Sequence, residues 1–497
     1  MIEARGTPAF PSRARPRPWL AALLSFLFPG MGQAYAGAMG LALVFAAPVL
    51  VLIVLVVAIL SGMAGNLGNG LLSTRFLTGV LVLDAALLLW RAAAIIHGGL
   101  ALRPDTVARR ERTVTLGTVG ALLILTVAMH AWVGITVLQL EGTLSQVFGG
   151  TRAEPAPVPP QSGDPEPAAS PAANWDGKEP INVLLLGTDA APGRDAVLTD
   201  VVMVLSVDPV AESAVMISIP RDTGYVPLPD GSLYPDGLFP EKINELVARA
   251  SRNPDTWCPE GAATPETCGL RVMESAVGTY LGVEIDHYAL VDMAGFAEMI
   301  DALGGLELCL PGELVDPQFD GTLGNDQRNG PLILPAGCNH YDGIGALAYA
   351  RSRKGWIEMP DGTREPQNDF ARADRQQRVL LALRDELAQA NTLLELPGVL
   401  SAIGRTVSTD FPREQAGDLA TLLPLITGPS IDRVVLGYPE FVDLPVNPDV
   451  NYLLIPNRDA IRSEMARIFG RRALVGWYVG STAPGPDLSS EANAENP

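Results

Sequence analysis

The sequence predicts a three-layer α/β/α domain built on a central mixed sheet, preceded by an all-α membrane region. Three observations predict it. Continuous apolar runs of strand length recur between residues 181 and 219. Apolar residues at helical spacing interleave with those runs and follow them. Near the N-terminus, three apolar stretches are each long enough to cross a bilayer, which takes about 20 residues.

The membrane stretches cover 38–63, 76–97 and 113–138. A fourth, Trp19 to Phe28, is too short to span and is broken by Pro29-Gly30. The small residues that follow, Gly30, Gly32, Ala34, Ala36 and Gly37, suit close packing or a re-entrant hairpin over 19–37. Arg5, Arg13, Arg15 and Arg17 lie in the basic segment 1–18, and Arg103, Arg109, Arg110 and Arg112 precede the last span. Both clusters are expected in the cytoplasm, which requires an even number of crossings between them. Two spans meet that condition, and the third then carries everything after residue 140 out of the cytoplasm. Asp84, Arg91 and His97 are ionisable residues in or near the second span. The ends of a span let Arg91 and His97 snorkel.

Residues 141–177 form a linker rich in Pro, Ala and acidic side chains, too polar to build a core. The acidic tail 473–497 has the same character and is expected to be disordered. Between them, 178–472 has the mixed composition of a globular domain. Its strands are read at 181–189, 201–207 and 215–219, and its helices at 241–251, 270–281, 293–303, 344–349 and 375–390. Gly304-Gly305 fits a helix C-cap.

The net charge of −20 argues against nucleic acid as a partner, because phosphate contacts need a basic stripe. Lysine occurs only at Lys178, Lys242 and Lys354, so arginine carries nearly all the positive charge. All four cysteines, Cys258, Cys268, Cys309 and Cys338, fall in the globular part. An even set confined there fits disulfides in an oxidising compartment, with Cys258–Cys268 and Cys309–Cys338 the expected pairs. Zinc is the rival reading, against which the spacings are not CxxC and only His287 and His340 lie in the same region.

Polar residues gather at the strand ends. Asp189 ends the first strand, Asp200 opens the second, and Arg221-Asp222 follows the third. Sites in α/β sheets collect at such ends. Two carboxylates can share a hard cation. A second set is cationic. Arg351 and Arg353 lie in YARSR at the end of a helix, and Arg372 and Arg375 lie three apart at the start of the next. Guanidinium groups bind phosphate oxygens bidentately, and a helix N-terminus adds partial positive charge. Acids and arginines together suit a metal-bound pyrophosphate; the alternative is solvated charges and a salt-bridged helix face.

The ordered segments INVLLLGTD, LTDVVMVLSVDP, VMISIPRDT, EKIN, IDHYALVDMAGFAEMIDALGGLELC, LPAGCNHYDGIGALAYARSR and ARADRQQ resemble the LytR-CpsA-Psr family over about residues 180 to 390. The resemblance implies an extracytoplasmic, membrane-anchored phosphotransferase. It implies transfer of a glycosyl phosphate from a polyprenyl-pyrophosphate-linked glycopolymer to peptidoglycan or a related wall acceptor. Polyprenyl phosphate leaves, and the lipid tail lies in an apolar cavity. Carried over by motif, Asp189 and Asp200 resemble the acids that hold Mg²⁺ (or Mn²⁺). Arg221, Lys242, Arg351, Arg353, Arg372, Arg375 and Gln376 resemble the pyrophosphate-binding set, and Asp222 acts as a base or orients Arg221. A lipid pyrophosphatase would use the same residues, and a non-catalytic envelope regulator is the reading from another class. Three features depart from the family pattern. Ala371 stands where Gly is common, 354–367 reads as an enlarged loop beside the site, and three spans replace the usual one.

Overall fold

In Ile181–Thr188, alternate side chains face opposite sides of one sheet, as the period of a strand requires. Leu184 and Leu186 enter one buried cluster; Ile181 and Val183 enter another. The next strand, Thr199–Asp208, divides in the same way, with Val202 and Val204 on the first side and Leu205 and Val207 on the second. The apolar runs read as strands are therefore buried on both faces, which is why they lack a polar alternation.

The computed structural model describes residues 16–60, 73–101, 109–148, 175, 179–188, 198–228, 233–259, 264–323, 326–329, 331–389, 396–415, 419–426, 431–445 and 452–470. Asp189, most of the linker, the acidic tail, the first fifteen residues and Arg103 lie outside them. Contacts divide the chain into two units, Met1–Glu141 and Gly142–Pro497.

In the second unit the main sheet has six strands in the order Val407–Thr409, His287–Asp292, Ile181–Thr188, Thr199–Asp208, Ser213–Ile219 and Asp432–Val435. His287–Asp292 runs parallel to Ile181–Thr188, and Asp432–Val435 runs parallel to Ser213–Ile219. The remaining pairs are antiparallel, so the sheet is mixed. Helices Leu246–Arg252, Pro265–Leu281 and Arg458–Phe469 supply Leu246, Met273, Val277, Leu281, Ile461 and Met465 to the core on one face. A second core joins Met293–Ala302, Gly343–Arg351, Asp369–Gln389 and Leu396–Thr406 through Ile300, Tyr349, Val379 and Ala402. Gln377 ties Asp369–Gln389 to the sheet: its Nε2 donates to Ser218 Oγ at 2.9 Å and to the Val434 carbonyl at 3.0 Å. The expected cap after Met293–Ala302 forms, with Gly304 and Gly305 at φ +91° and +116°. A Cβ on Gly305 would stand 2.3 Å from His340 Nε2, so both the backbone conformation and the close approach require glycine.

Two strands, Val407–Thr409 and Asp432–Val435, were not evident in the sequence, because each is too short to carry a periodic signal. The segment 354–367 is a β-hairpin rather than a loop. Its arms, Trp356–Glu358 and Arg364–Pro366, join Glu313–Asp316 and Leu332–Leu334 in a four-stranded sheet. Three-residue arms rich in charge give no strand pattern to read. The cysteines pair as Cys258–Cys268 and Cys309–Cys338, with Cα separations of 6.0 and 3.9 Å. The second bridge links directly opposed residues of two antiparallel strands.

Among the described residues, three helices are long and apolar enough to cross a membrane: Met39–Ala58, Thr74–Leu100 and Arg109–Val147. The short Pro18–Leu27 helix starts with proline at its first position and stops before Pro29. Gln33, fully buried, donates to the Ala94 carbonyl at 3.0 Å and accepts from Ser25 Oγ. Arg91 Nη2 donates to the Phe26 carbonyl at 2.7 Å. Asp84 meets His130 Nδ1 at 2.7 Å, a partner the sequence reading did not identify.

Candidate functional site

The strand Ser213–Ile219 ends at Pro220, and the chain turns there, with Thr223 N–H donating to the Pro220 carbonyl at 3.0 Å. That turn presents Arg221 and Asp222. The EKIN segment lies against it through its backbone. Ile243 N–H donates to the Thr223 carbonyl at 2.8 Å, and Asn244 N–H to that of Arg221 at 3.3 Å. Ile243 and Asn244 are buried, which leaves Lys242 at the edge. Its Nζ is 2.7 Å from Asp222 Oδ1 and 5.9 Å from the ring centre of Tyr452.

Asp200 lies near the start of its strand, beside the Arg221 turn. Arg221 Nη1 donates to Asp200 Oδ1 at 2.9 Å. Arg372 Nη2 reaches the same residue, 2.7 Å from its backbone carbonyl and 3.5 Å from Oδ2. Arg372 is placed by the first turn of Asp369–Gln389. Asn368 caps that turn, its side-chain oxygen accepting from the N–H groups of Phe370 and Ala371.

Asp369 gathers the arginines. Its Oδ1 is 3.2 Å from Arg372 Nη1, 3.4 Å from Arg221 Nε and 3.8 Å from Arg353 Nη1. Three guanidinium groups, one of them from a segment remote in the chain, thus converge on one oxygen. Among the described residues the cluster holds four cations, Arg221, Lys242, Arg353 and Arg372, and three carboxylates, Asp200, Asp222 and Asp369. The N-terminus of Asp369–Gln389 adds partial positive charge at the same place.

Burial by itself pushes the Asp200 carboxyl up, but the charges of Arg372 and Arg221 and hydrogen bonds from Arg221 and Asn244 outweigh it. The group is held below the ordinary carboxylate value. Burial works against the charge on Arg221 too, and there Asp200 and Asp369 outweigh it, holding its pKa above the usual value. Two buried polar atoms here, Arg221 Nε and Asn244 Oδ1, have no hydrogen-bond partner among the described residues. Such atoms at a charged strand end are where a ligand's polar groups are expected.

The structure therefore brings Asp200, Arg221, Asp222, Lys242, Arg353 and Arg372 together. Asp189 would follow directly on Thr188, but it lies outside the described residues. Arg351 is the last residue of its helix, so it and Arg353 do not lie on one extended strand. Gln376 is half-buried one position beyond Arg375. Arg375 differs from the expectation. It is 3% exposed and spends its donors inside the protein, on the carbonyls of Tyr349 and Ser352 and on Gln367 Oε1. Burial pushes its pKa down to about 10, which leaves it charged at neutral pH. Asp369 is the residue that the sequence reading missed. Its signal was an acid three residues before Arg372 in a first helical turn, the spacing of a helical ion pair.

Helices Pro265–Leu281 and Met293–Ala302 place Met273, Ala276, Val277, Phe296, Met299 and Ile300 in the two cores. A cleft lined by Trp175, Asn182, Glu284 and His287 opens at the opposite end of Ile181–Thr188 from the charged cluster. His287 is buried there against Phe411, with ring centres 4.7 Å apart.

Comparison with known proteins adds relatives to this geometry. The chain is 28% identical over 250 residues to the polyisoprenyl-teichoic acid–peptidoglycan teichoic acid transferase TagU of Halalkalibacterium halodurans, covering 50% of this chain and 67% of that one. It is 27% identical over 294 residues to TagV of Bacillus subtilis, which carries the same activity name, covering 58% and 63%. The matched region thus spans roughly two thirds of these relatives' length, slightly less in the second. A crystal structure of B. subtilis TagV aligns with a TM-score of 0.41 at 24% identity, over 58% of this chain and 97% of that one. The model of the LytR_cpsA_psr family matches residues 157–437, more than half of the chain and every described residue of the cluster except Tyr452, and the chain belongs to that family.

Proposed function

We propose that the second unit transfers a glycosyl phosphate from a polyprenyl-pyrophosphate-linked glycopolymer to a hydroxyl of peptidoglycan or a related wall acceptor. Polyprenyl phosphate is the leaving group. The observation that carries this reading is the convergence of Arg221, Arg353 and Arg372 on one carboxylate oxygen. Three fixed guanidinium groups form a site for the oxygens of a pyrophosphate, whose charge must be neutralised before an oxygen nucleophile can approach. The activity names of the TagU and TagV relatives support the same class of reaction.

The acceptor oxygen attacks the phosphorus that bears the sugar. The bond from that phosphorus to the bridging oxygen breaks, and the bridging oxygen leaves with the polyprenyl phosphate. Arg221, Arg353 and Arg372 stabilise the charge on the phosphoryl oxygens as it shifts toward the leaving group. Asp222, held by Lys242 at 2.7 Å, orients Arg221 and takes the proton of the attacking hydroxyl. Asp200 is an ionised oxygen donor of the kind that a hard cation takes, and Asp189 would be the second. When bound, Mg²⁺ (or Mn²⁺) neutralises pyrophosphate charge. The basic segments before the first and last spans support an N-terminus in the cytoplasm and a catalytic unit outside it.

The test incubates the full-length protein with a polyprenyl-pyrophosphate glycan and peptidoglycan, with Mg²⁺ or with a chelator. Glycan joined covalently to peptidoglycan, lost on chelation and restored by Mg²⁺, is the expected result. Equal release of polyprenyl phosphate with and without acceptor would make the protein a lipid pyrophosphatase. No turnover under either condition would overturn the proposal.

A further inference from the structure

Arg353 reaches Asp369 from a segment without regular structure. It follows Gly343–Arg351, after which Ser352 is extended at ψ 139°. A long side chain on such a segment needs its backbone fixed if its guanidinium is to stay in one place. Two buried charged groups grip that backbone from either side.

The first is Asp316, 1% exposed at the end of Glu313–Asp316. Its Oδ2 accepts from Ser352 Oγ at 2.8 Å and from the N–H groups of Arg353 and Lys354, both at 3.1 Å. Its Oδ1 accepts from Gln318 N–H at 3.1 Å. The second is Arg375, which donates to the Ser352 carbonyl, and to that of Tyr349 at 2.9 Å. Ser352, fully buried, is thus held at its hydroxyl by Asp316 and at its carbonyl by Arg375. The chain then passes Gly355, where a Cβ would stand 1.8 Å from the Val315 carbonyl.

We infer that Asp316 is a positioning residue of the transfer site, fixing Arg353 through the Ser352–Lys354 backbone, with Arg375 as its counterpart on the other side. The inference rests on the pyrophosphate reading of the cluster. The chemistry requires a carboxylate at this position. It offers acceptors only, and four donors point at it. The Asp316→Asn side chain turns one acceptor into a donor, so at least one backbone N–H is left facing an N–H₂ group.

The test uses the full-length protein in detergent with Mg²⁺, and farnesyl pyrophosphate as the probe, with affinity read by calorimetry. Asp316→Asn, Arg353→Ala and the double variant form a cycle. Asp316→Asn is expected to weaken binding roughly tenfold, and by less than about twofold once Arg353 is already alanine. The same tenfold loss in both backgrounds would mean that Asp316 does not act through Arg353, and would overturn the inference. So would unchanged binding in Asp316→Asn. Unchanged binding in Arg353→Ala would instead overturn the pyrophosphate reading on which both rest. If Asp316→Asn does not fold, Ser352→Ala removes only the 2.8 Å bond. Its expected loss of about threefold must likewise vanish in the Arg353→Ala background, and an equal loss in both would overturn the inference.

Discussion

Replacing Arg221 by alanine separates catalysis from folding. The Arg221 side chain is 15% exposed, and it contacts Asp200 at 2.9 Å and Asp369 at 3.4 Å. Neither acid is stranded by its loss. Asp200 keeps Arg372 at 3.5 Å, and Asp369 keeps both Arg372 and Arg353. The stability loss is therefore about 1–2 kcal/mol, below the ~3–5 kcal/mol of a buried charge left without a partner. Against a typical total of roughly 5–15 kcal/mol, the variant stays folded. The ligand loses more. One charge-assisted contact to a phosphoryl oxygen is worth about 1.5–3 kcal/mol, and a loss near 2.7 kcal/mol lowers the rate about a hundredfold. Arg221→Lys keeps the charge but not the fork geometry, so it falls between. The assay measures transfer to peptidoglycan alongside a denaturant melt for each variant. Full transfer by Arg221→Ala would refute the assignment, as would a rate loss no larger than the unfolded fraction accounts for.

Further outcomes follow from the same geometry. Because the folded-state pKa of Asp200 is depressed, its stabilisation is present above the unfolded value of about 3.9 and is lost as pH falls through the folded value. Acid melts of Asp200→Asn should therefore flatten below about pH 4 relative to wild type; parallel curves would show that Asp200 contributes nothing there. Replacing Cys309 and Cys338 together by serine should cost roughly 2–4 kcal/mol under oxidising conditions, and an unchanged melting curve would contradict this. Reporter fusions at residues 105 and 178 should report opposite sides of the membrane, and the same side for both would overturn the topology.

The sequence by itself determined the elements whose burial is nearly complete. Ile181–Thr188, Thr199–Asp208 and Ser213–Ile219 are readable because both faces are covered, so their apolar runs are unbroken. The three long apolar helices are readable because a bilayer demands about 20 residues of one character. Asp200, Arg221, Lys242, Arg353 and Arg372 were legible through ordered motifs at strand and helix ends. Only the tertiary structure decided what each charge faces. Arg372 and Arg375 lie three apart on one helix, yet Arg372 meets Asp200 and Asp369 while Arg375 turns to the carbonyls of Tyr349 and Ser352. Helical spacing sets a shared face, not the partner waiting there. Asp316 was silent for the same reason: an isolated acid carries no pattern, and its role comes from the Ser352–Lys354 donors, brought to it by a segment distant in the chain. The short strands Val407–Thr409, Asp432–Val435 and Trp356–Glu358 exist through pairing with longer neighbours, and pairing across the chain leaves no local periodicity to read.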